Sequence, residues 1–157
     1  MSADTSLGSR RLAQIAFVVA DIEAAKRRWA LLLGVDPPPT IETGPGLQLN
    51  QTYRGVPSDA RVKLAFFELE NIQIELIEPI GEDSAWYEGL QAGEGVHHIA
   101  FWTENMTDSA RHLRALGGEL VHRGDMGDGQ FAYFDTKAPF GTMVELLERE
   151  RTPIEPQ

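Results

Sequence analysis

The chain has 157 residues, a length that suits one domain or two small units sharing a core. Its formal net charge is −10, and a surface of that sign repels phosphate backbones, which argues against a nucleic-acid partner. The chain contains no cysteine, so disulfides, thiolate metal sites and a cysteine nucleophile are excluded, and any bound metal must be held by nitrogen and oxygen.

The N-terminal segment MSADTSLGSRRL lacks the continuous apolar core of a signal peptide. No run in the chain approaches the roughly 18–20 apolar residues that are needed to span a bilayer. We therefore expect a soluble cytoplasmic protein with no membrane partner. The polar ends, residues 1–9 and 150–157, are expected to be flexible.

The first predicted elements are a strand, a capped helix and a glycine stop within Arg11–Gly34. Asp21 can accept hydrogen bonds from the free N–H groups of the first helical turn, and Gly34 can adopt the left-handed conformation that ends a helix. The helix itself is predicted from apolar residues at i, i+3 and i+4 spacing, which are Ile22, Ala25, Trp29, Leu32 and Leu33.

The middle of the first half is an excursion rich in proline and glycine, residues 36–57, which we interpret as a loop over a site. The stretch VKLAFFELENIQIELIEP, Val62–Pro79, then predicts two strands that are joined by a tight turn at Glu70-Asn71.

The second half repeats this pattern. The segment Gly95–Gly118 aligns without a gap on Arg11–Gly34, so that HIAF falls on QIAF and Asn105 falls on the capping Asp21. Residues Gln130–Arg149 repeat the hairpin with a longer turn at 137–141.

The repeat predicts an α+β fold in which two βαβββ modules pair into a half-open barrel with helices outside. The first module covers residues 10–80, a linker covers 81–94, and the second module covers 95–149.

Four polar residues occupy equivalent places in the two modules. Side chains alternate along a strand, so Gln14 and His98 in the first strands, and Glu75 and Glu145 in the last, should face the concave side together. Two carboxylates there are expensive to bury unless a partner offsets their charge. One imidazole nitrogen with three oxygens forms a plausible site for one divalent ion such as Zn, Co, Ni or Mn. The neighbouring His97 should face the helix side.

Other polar residues receive ordinary interpretations. His122 should lie at a solvated strand edge, and Glu78 and Glu148 should be surface charges near strand ends. The candidate apolar cavity residues, which suggest a partly hydrophobic substrate, are Phe66, Phe131, Tyr133 and Met143.

From about Leu12 to Glu148 these features resemble the vicinal oxygen chelate superfamily, the glyoxalase, bleomycin-resistance and dioxygenase group. The segments NIQIELIEP, GEGVHHIAF and GTMVELLE are most similar to methylmalonyl-CoA epimerases. The resemblance implies Gln14, Glu75, His98 and Glu145 as metal ligands, and it implies a homodimer.

The chain departs from the epimerases in two places. Epimerases usually carry histidine at the first ligand position, and the order Gln, Glu, His, Glu instead resembles animal-type glyoxalase I. Epimerases also use a glutamate in the strand before the hairpin to transfer a proton. The corresponding stretch, LQLNQTYRG, offers only the amides Gln48, Asn50 and Gln51.

The resemblance implies a metal-dependent isomerase, epimerase or lyase that moves a proton next to the carbonyl of a small carbonyl or thioester substrate. Glu145 would be the base, and Glu75 a second base or a permanent ligand. The alternative is a non-catalytic small-molecule-binding protein of the bleomycin-resistance type. A third alternative, an extradiol dioxygenase, would need two histidines and one glutamate on iron, which Gln14 and Glu75 fit poorly.

Overall fold

The computed structural model describes residues 6–150 and residue 154. The strands are β1 (Leu12–Val18), β2 (Ile41–Glu42), β3 (Thr52–Tyr53), β4 (Val56–Pro57), β5 (Arg61–Glu68), β6 (Gln73–Ile80), β7 (Gly95–Trp102), β8 (Glu119–Met126), β9 (Gly129–Asp135) and β10 (Met143–Glu148). The helices are α1 (Ile22–Leu33), α2 (Ala85–Gln91), α3 (Met106–Ala115) and α4 (Lys137–Phe140), and a 3-10 turn occupies Gly46–Leu49.

The strands of the described residues form one mixed sheet in the order β2-β5-β6-β1-β7-β10-β9-β8-β3-β4. At its centre β1 runs antiparallel to β7, and each of them also pairs with a parallel strand, β1 with β6 and β7 with β10. The two halves of the sheet therefore repeat each other on either side of the β1–β7 pair. The sheet curls into a half-barrel, which confirms the predicted architecture.

The long helices cover the convex face of the sheet, as their apolar spacing predicts. Asp21 caps α1 by accepting from the Ala24 N–H, and Asn105 caps α3 by accepting from the Asp108 N–H. Gly34 ends α1 with a φ of +68°, a conformation that favours glycine. None of the described helices has both the length and the hydropathy that crossing a membrane requires.

A separate apolar cluster lies on the concave face, where the strand residues that alternate away from the helices meet. Ala16, Ile77 and Met143 belong to it, together with the aromatic rings of Trp86 and Tyr133. This cluster forms the floor on which the candidate site is built.

The excursion at residues 36–57 is more ordered than the predicted loop. The second module has the eight-residue strand β8 where the first module has only the two-residue β2. The rest of the excursion crosses to the other module, where Thr52 of β3 pairs with Arg123 and Tyr53 pairs with His122. It therefore joins the two ends of the half-barrel.

The predicted linker, residues 81–94, contains the unpredicted helix α2. Ser84 caps this helix by accepting from the Tyr87 N–H. Its first two residues, Ala85 and Trp86, are buried in the concave cluster. The segment is therefore part of the core that surrounds the site.

The interpretation of Glu148 as a surface charge is wrong, whereas Glu78 is partly exposed. Glu148 is only 1% exposed and accepts hydrogen bonds from the Met106 N–H at the start of α3 and from the Gln130 amide. Glu78 accepts from the Ile22 N–H at the start of α1. Each carboxylate therefore meets the partly positive N-terminal end of its module's helix.

The predicted flexible ends fall mostly outside the described residues. Within the described part, Leu7 and Ile154 pack against the apolar cluster beneath α3. The Ser109 hydroxyl also donates to the Leu7 carbonyl at 2.9 Å.

We expect Glu148→Ala to lower the free energy of unfolding by about 2–3 kcal/mol, because the substitution leaves buried donors without an ionised acceptor. The matched variant Glu78→Ala should cost less than about 1 kcal/mol, since Glu78 is partly exposed. Urea denaturation of both variants measures the difference. Equal losses would contradict the structural role assigned to Glu148.

Candidate metal centre

The four predicted ligand residues lie on the four central strands, Gln14 on β1, Glu75 on β6, His98 on β7 and Glu145 on β10. Two alanines separate them. Ala16 is paired across the sheet with both Glu75 and His98, and Ala100 is paired with both Gln14 and Glu145.

Ala16 and Ala100 are themselves equivalent residues of the repeat, and both are fully buried. Because each carries only a methyl group, the longer side chains on either side can converge above it. The repeated IAF in QIAF and HIAF contains this signal, which the sequence interpretation used only to align the modules.

Three of the four predicted residues converge on one point. His98 Nε2 lies 2.9 Å from Glu145 Oε2 and 3.4 Å from Glu75 Oε2, and one ligand atom of each residue lies within 4.8 Å of the others. All three side chains are buried, and these three atoms make no hydrogen bond of acceptable geometry. Buried, unsatisfied nitrogen and carboxylate atoms that face one another fit a divalent cation of the zinc or manganese type.

Burial and mutual charge shift the pKa values in this triad. Burial raises the pKa of the Glu75 carboxyl, and the charge of Glu145 adds to the increase. Burial alone would lower the pKa of His98, but the carboxylates of Glu145 and Glu75 outweigh it and raise that pKa to about 9. In the metal-free protein, protonated His98 therefore supplies the positive charge that offsets the two carboxylates, and binding of a metal ion would release this proton.

The sequence interpretation put His97 on the helix side of β7, and the structure corrects it. Along the β1–β7 pair, Ala16 faces His98 but the next residue, Phe17, faces Val96, so β7 bulges at this point. The bulge breaks the strict alternation of side chains. The His97 ring therefore contacts the rings of His98 and Tyr133.

His97 determines which nitrogen of His98 is available to a metal. His97 Nε2 lies 2.9 Å from the Ala85 carbonyl oxygen, which can only accept, so this nitrogen carries the proton. Burial lowers the pKa of His97 to about 4, so the ring is neutral and its Nδ1 accepts. The contact of 2.8 Å between the two Nδ1 atoms then requires His98 Nδ1 to donate. In neutral His98 this leaves the Nε2 lone pair facing Glu75 and Glu145.

Gln14 lies on the wall of a cavity that Glu75 and Glu145 also line. Its amide nitrogen donates to Gln73 Oε1 at 2.5 Å, and the Gln73 amide nitrogen donates to the Glu68 carboxylate. The Glu68 carboxylate can only accept, which fixes the orientation of the Gln73 amide and then that of the Gln14 amide. The atom that Gln14 can offer to a metal is therefore its oxygen, Oε1. Ligation by Gln14 stays a prediction.

Of the triad, Glu75 and Glu145 line this cavity, which has a volume of about 320 Å³. Its wall is mostly apolar and includes Val62, Leu64, Phe66, Phe131 and Leu147. Phe66 and Phe131 are therefore apolar wall residues, as predicted. Met143 instead packs in the concave cluster beneath the cavity.

Tyr133 does more than supply an apolar wall. Its hydroxyl accepts from Trp86 Nε1 at 3.0 Å, and its ring meets the His98 ring edge-on at 4.8 Å. Burial, and then the charges of Glu145 and Glu75, raise the pKa of Tyr133 well above its ordinary value. The side chain therefore presents an un-ionised hydroxyl beside the carboxylates.

His122 was expected to be solvated, but it is fully buried. Its Nδ1 lies 3.2 Å from the Ala85 N–H, and its Nε2 lies 2.8 Å from Gln51 Oε1. Burial lowers the pKa of His122 to about 3, so the ring is neutral. The sequence interpretation missed this burial because the covering residues come from the excursion and from α2.

We expect the free energy of unfolding of the metal-free protein to fall as the pH rises from 6.5 to 9. The pKa of His98 rises from 6.5 to about 9 on folding, so its stabilisation is complete below pH 6.5 and is lost as the pH passes 9. Urea denaturation across this range measures the decline. His98→Gln should flatten the curve, whereas the control His112→Gln should leave it unchanged; an equally steep curve for His98→Gln would contradict the assignment.

We expect His97→Phe to weaken zinc binding by about 10–100-fold, because the ring is kept but the acceptor that orients His98 is removed. Titration with a competing chelator measures the affinity, and His112→Phe is the matched control. Long-range proton–nitrogen NMR should show His98 protonated at Nδ1 in the unmodified zinc-loaded protein. A zinc-loaded His98 protonated at Nε2 would overturn the orientation described here.

Comparison with known proteins identifies the family of this chain. The model of the Glyoxalase/Bleomycin resistance protein/Dioxygenase superfamily matches residues 13–134. The chain is 29% identical over 146 residues to the ethylmalonyl-CoA/methylmalonyl-CoA epimerase of Cereibacter sphaeroides, over 87% of this chain and 96% of that protein. It is 32% identical over 95 residues to the uncharacterised protein YqjC of Bacillus subtilis, over 57% of this chain and 67% of that protein.

The fold is also similar to that of a solved epimerase. A variant of Streptomyces coelicolor methylmalonyl-CoA epimerase, in complex with 2-nitronate-propionyl-CoA, matches with a TM-score of 0.59 at 24% identity, over 88% of this chain and 96% of that one. The family model covers well over half of the chain, and the half-barrel fold is consistent with it. The protein therefore belongs to the Glyoxalase/Bleomycin resistance protein/Dioxygenase superfamily.

Proposed function

We propose that the protein is a divalent-metal-dependent epimerase that moves a proton on the carbon next to the carbonyl of a CoA thioester. The observation that carries this proposal is the convergence of His98 Nε2 with the unsatisfied oxygens of Glu75 and Glu145, two residues that line a mostly apolar cavity. The 29% identity to an ethylmalonyl-CoA/methylmalonyl-CoA epimerase supports the thioester substrate.

Glu75, His98 and Glu145 would hold the ion, and Gln14 Oε1 is the fourth candidate ligand. When bound, the ion would act as a Lewis acid that stabilises negative charge on the carbonyl oxygen of the substrate. The apolar wall keeps bulk water away from the reacting carbon, which strengthens electrostatic interactions within the cavity.

The two glutamates would divide the proton transfer. Glu145, as a carboxylate, removes the proton from the carbon. Glu75, which faces the same point from the other module, would release the ion when protonated and deliver its proton to the opposite face of the carbon. The product is the epimer with Glu145 protonated and Glu75 ionised, and transfer of one proton between them restores the starting state. The un-ionised Tyr133 hydroxyl is a further polar group at Glu145.

The size of the cavity limits which part of the substrate it can enclose. About 320 Å³ is near the lower end of ligand pockets and suits a short branched acyl group. The remainder of a CoA thioester would lie outside the cavity. The lining therefore selects for the acyl group rather than for the nucleotide.

A non-catalytic binding protein is the second candidate, and one observation favours it. With a pKa of about 9, His98 is protonated in the metal-free protein and pairs with Glu145 at 2.9 Å. The cluster can therefore exist without a metal. The two candidates differ in metal content and in proton exchange.

We expect the protein purified without added metal to contain about one divalent ion per chain by elemental analysis. The metal-loaded protein should also wash deuterium from heavy water into methylmalonyl-CoA. A glyoxalase I-like lyase would instead convert the hemithioacetal of glutathione and methylglyoxal. Protein without stoichiometric metal that binds ligand but exchanges no proton would overturn the enzyme proposal.

Glu145→Gln should slow the deuterium exchange by at least about 100-fold, because the amide cannot accept the proton. Glu119→Gln removes an exposed carboxylate far from the cavity and is the matched control. Exchange in Glu145→Gln at the control rate would show that another group is the base.

A further inference from the structure

Gln51 is a polar residue in a cavity wall that is otherwise mostly apolar. It lies between the 3-10 turn and β3, its side chain is buried, and it lines the cavity that contains the metal-ligand candidates. An amide does not exchange protons as a carboxylate does, so Gln51 can act on a ligand in the cavity only through hydrogen bonds.

The orientation of the Gln51 amide follows from a series of hydrogen bonds that begins at the backbone. The Ala85 N–H can only donate, so His122 Nδ1 is the acceptor. The neutral His122 ring therefore carries its proton on Nε2 and donates it to Gln51 Oε1. The Gln51 carbonyl oxygen is occupied, and its NH₂ group is the end left to the cavity.

Packing also restricts the Gln51 side chain and its partner His122. A Cβ atom at Gly124 would lie 2.7 Å from Gln51 Cγ, so the glycine leaves room for the side chain. His122 is in turn surrounded by Tyr53, Trp86 and Phe131. Rotation of the amide by 180° would set its NH₂ against the His122 N–H donor.

No acceptor among the described residues is paired with the Gln51 NH₂ group. The NH₂ group lies in the wall of a cavity whose lining is mostly apolar, and a ligand can pair with it only through an acceptor atom. A ligand with an acceptor oxygen at this point satisfies the donor, whereas a ligand with an apolar group there leaves it unsatisfied.

We propose that Gln51 is a specificity-determining residue that donates a hydrogen bond to an oxygen of the substrate's acyl group, while His122 positions it. This inference rests on the proposed thioester function. The acceptor is either the thioester carbonyl or a carboxylate on the neighbouring carbon, and both present the same lone pairs to the amide.

Two ligands that differ by one group test the proposal. Methylmalonyl-CoA and isobutyryl-CoA share the thioester and the branched carbon, but isobutyryl-CoA has a methyl group in place of the carboxylate. Calorimetric titration of the zinc-loaded protein gives the dissociation constant of each. Gln51→Glu keeps an acceptor for His122 and removes the donor, and Gln51→Leu removes both.

Both variants should bind methylmalonyl-CoA at least about tenfold more weakly than the unmodified protein. Weaker binding of methylmalonyl-CoA alone assigns the contact to the carboxylate, and weaker binding of both ligands assigns it to the thioester carbonyl. Thermal unfolding identifies any variant that fails to fold, and Gln51→Glu is the variant expected to retain stability. Gln48→Leu, at an exposed amide outside the cavity, is the matched control.

The side-chain amide resonance of Gln51 should also shift when methylmalonyl-CoA is added to the unmodified protein. Unchanged affinities in both variants together with an unmoved resonance would overturn the role of Gln51 alone. Unmodified protein that neither binds these thioesters nor exchanges their protons would overturn the proposed function, and the role of Gln51 with it.

Discussion

Two carboxylates and one imidazole, buried together on the concave face, set the main constraint on this structure. Glu75 and Glu145 repel each other and lose hydration, and only a positive charge between them offsets that cost. His98 supplies that charge when it is protonated, and a divalent ion supplies it when His98 is neutral. A proton on His98 and a divalent ion therefore compete for the same site between the two carboxylates. The residues packed around the triad determine which of its atoms face that site.

Duplication explains how a short chain can satisfy this constraint. Each module supplies one glutamate from its last strand and one small residue, Ala16 or Ala100, over which the longer side chains meet. Each module also places a glutamate, Glu78 or Glu148, at the N-terminus of its own helix. In each module the last strand, β6 or β10, therefore carries one glutamate that caps a helix and another that belongs to the candidate site.

The sequence was sufficient to predict the features that depend on local periodicity. Strand alternation placed Glu75 and Glu145 on the concave face, and helical spacing with Asp21 and Gly34 bounded α1. The failures came from contacts between distant segments. The bulge at His97 depends on the register of β1 against β7, and the burial of His122 depends on residues from the excursion and α2. No local periodicity in the excursion or in α2 predicts these contacts.

The polarity of the site is determined by a residue whose side chain is a methyl group. The Ala85 carbonyl accepts from His97, which leaves the Nε2 lone pair of neutral His98 facing the carboxylates. The Ala85 N–H donates to His122, which leaves the Gln51 NH₂ group facing the cavity. A backbone N–H can only donate and a backbone carbonyl can only accept. The two backbone groups of Ala85 therefore fix both the lone pair on His98 Nε2 and the NH₂ donor of Gln51. The helix that the sequence interpretation treated as a linker therefore decides what kind of ligand the cavity can hold.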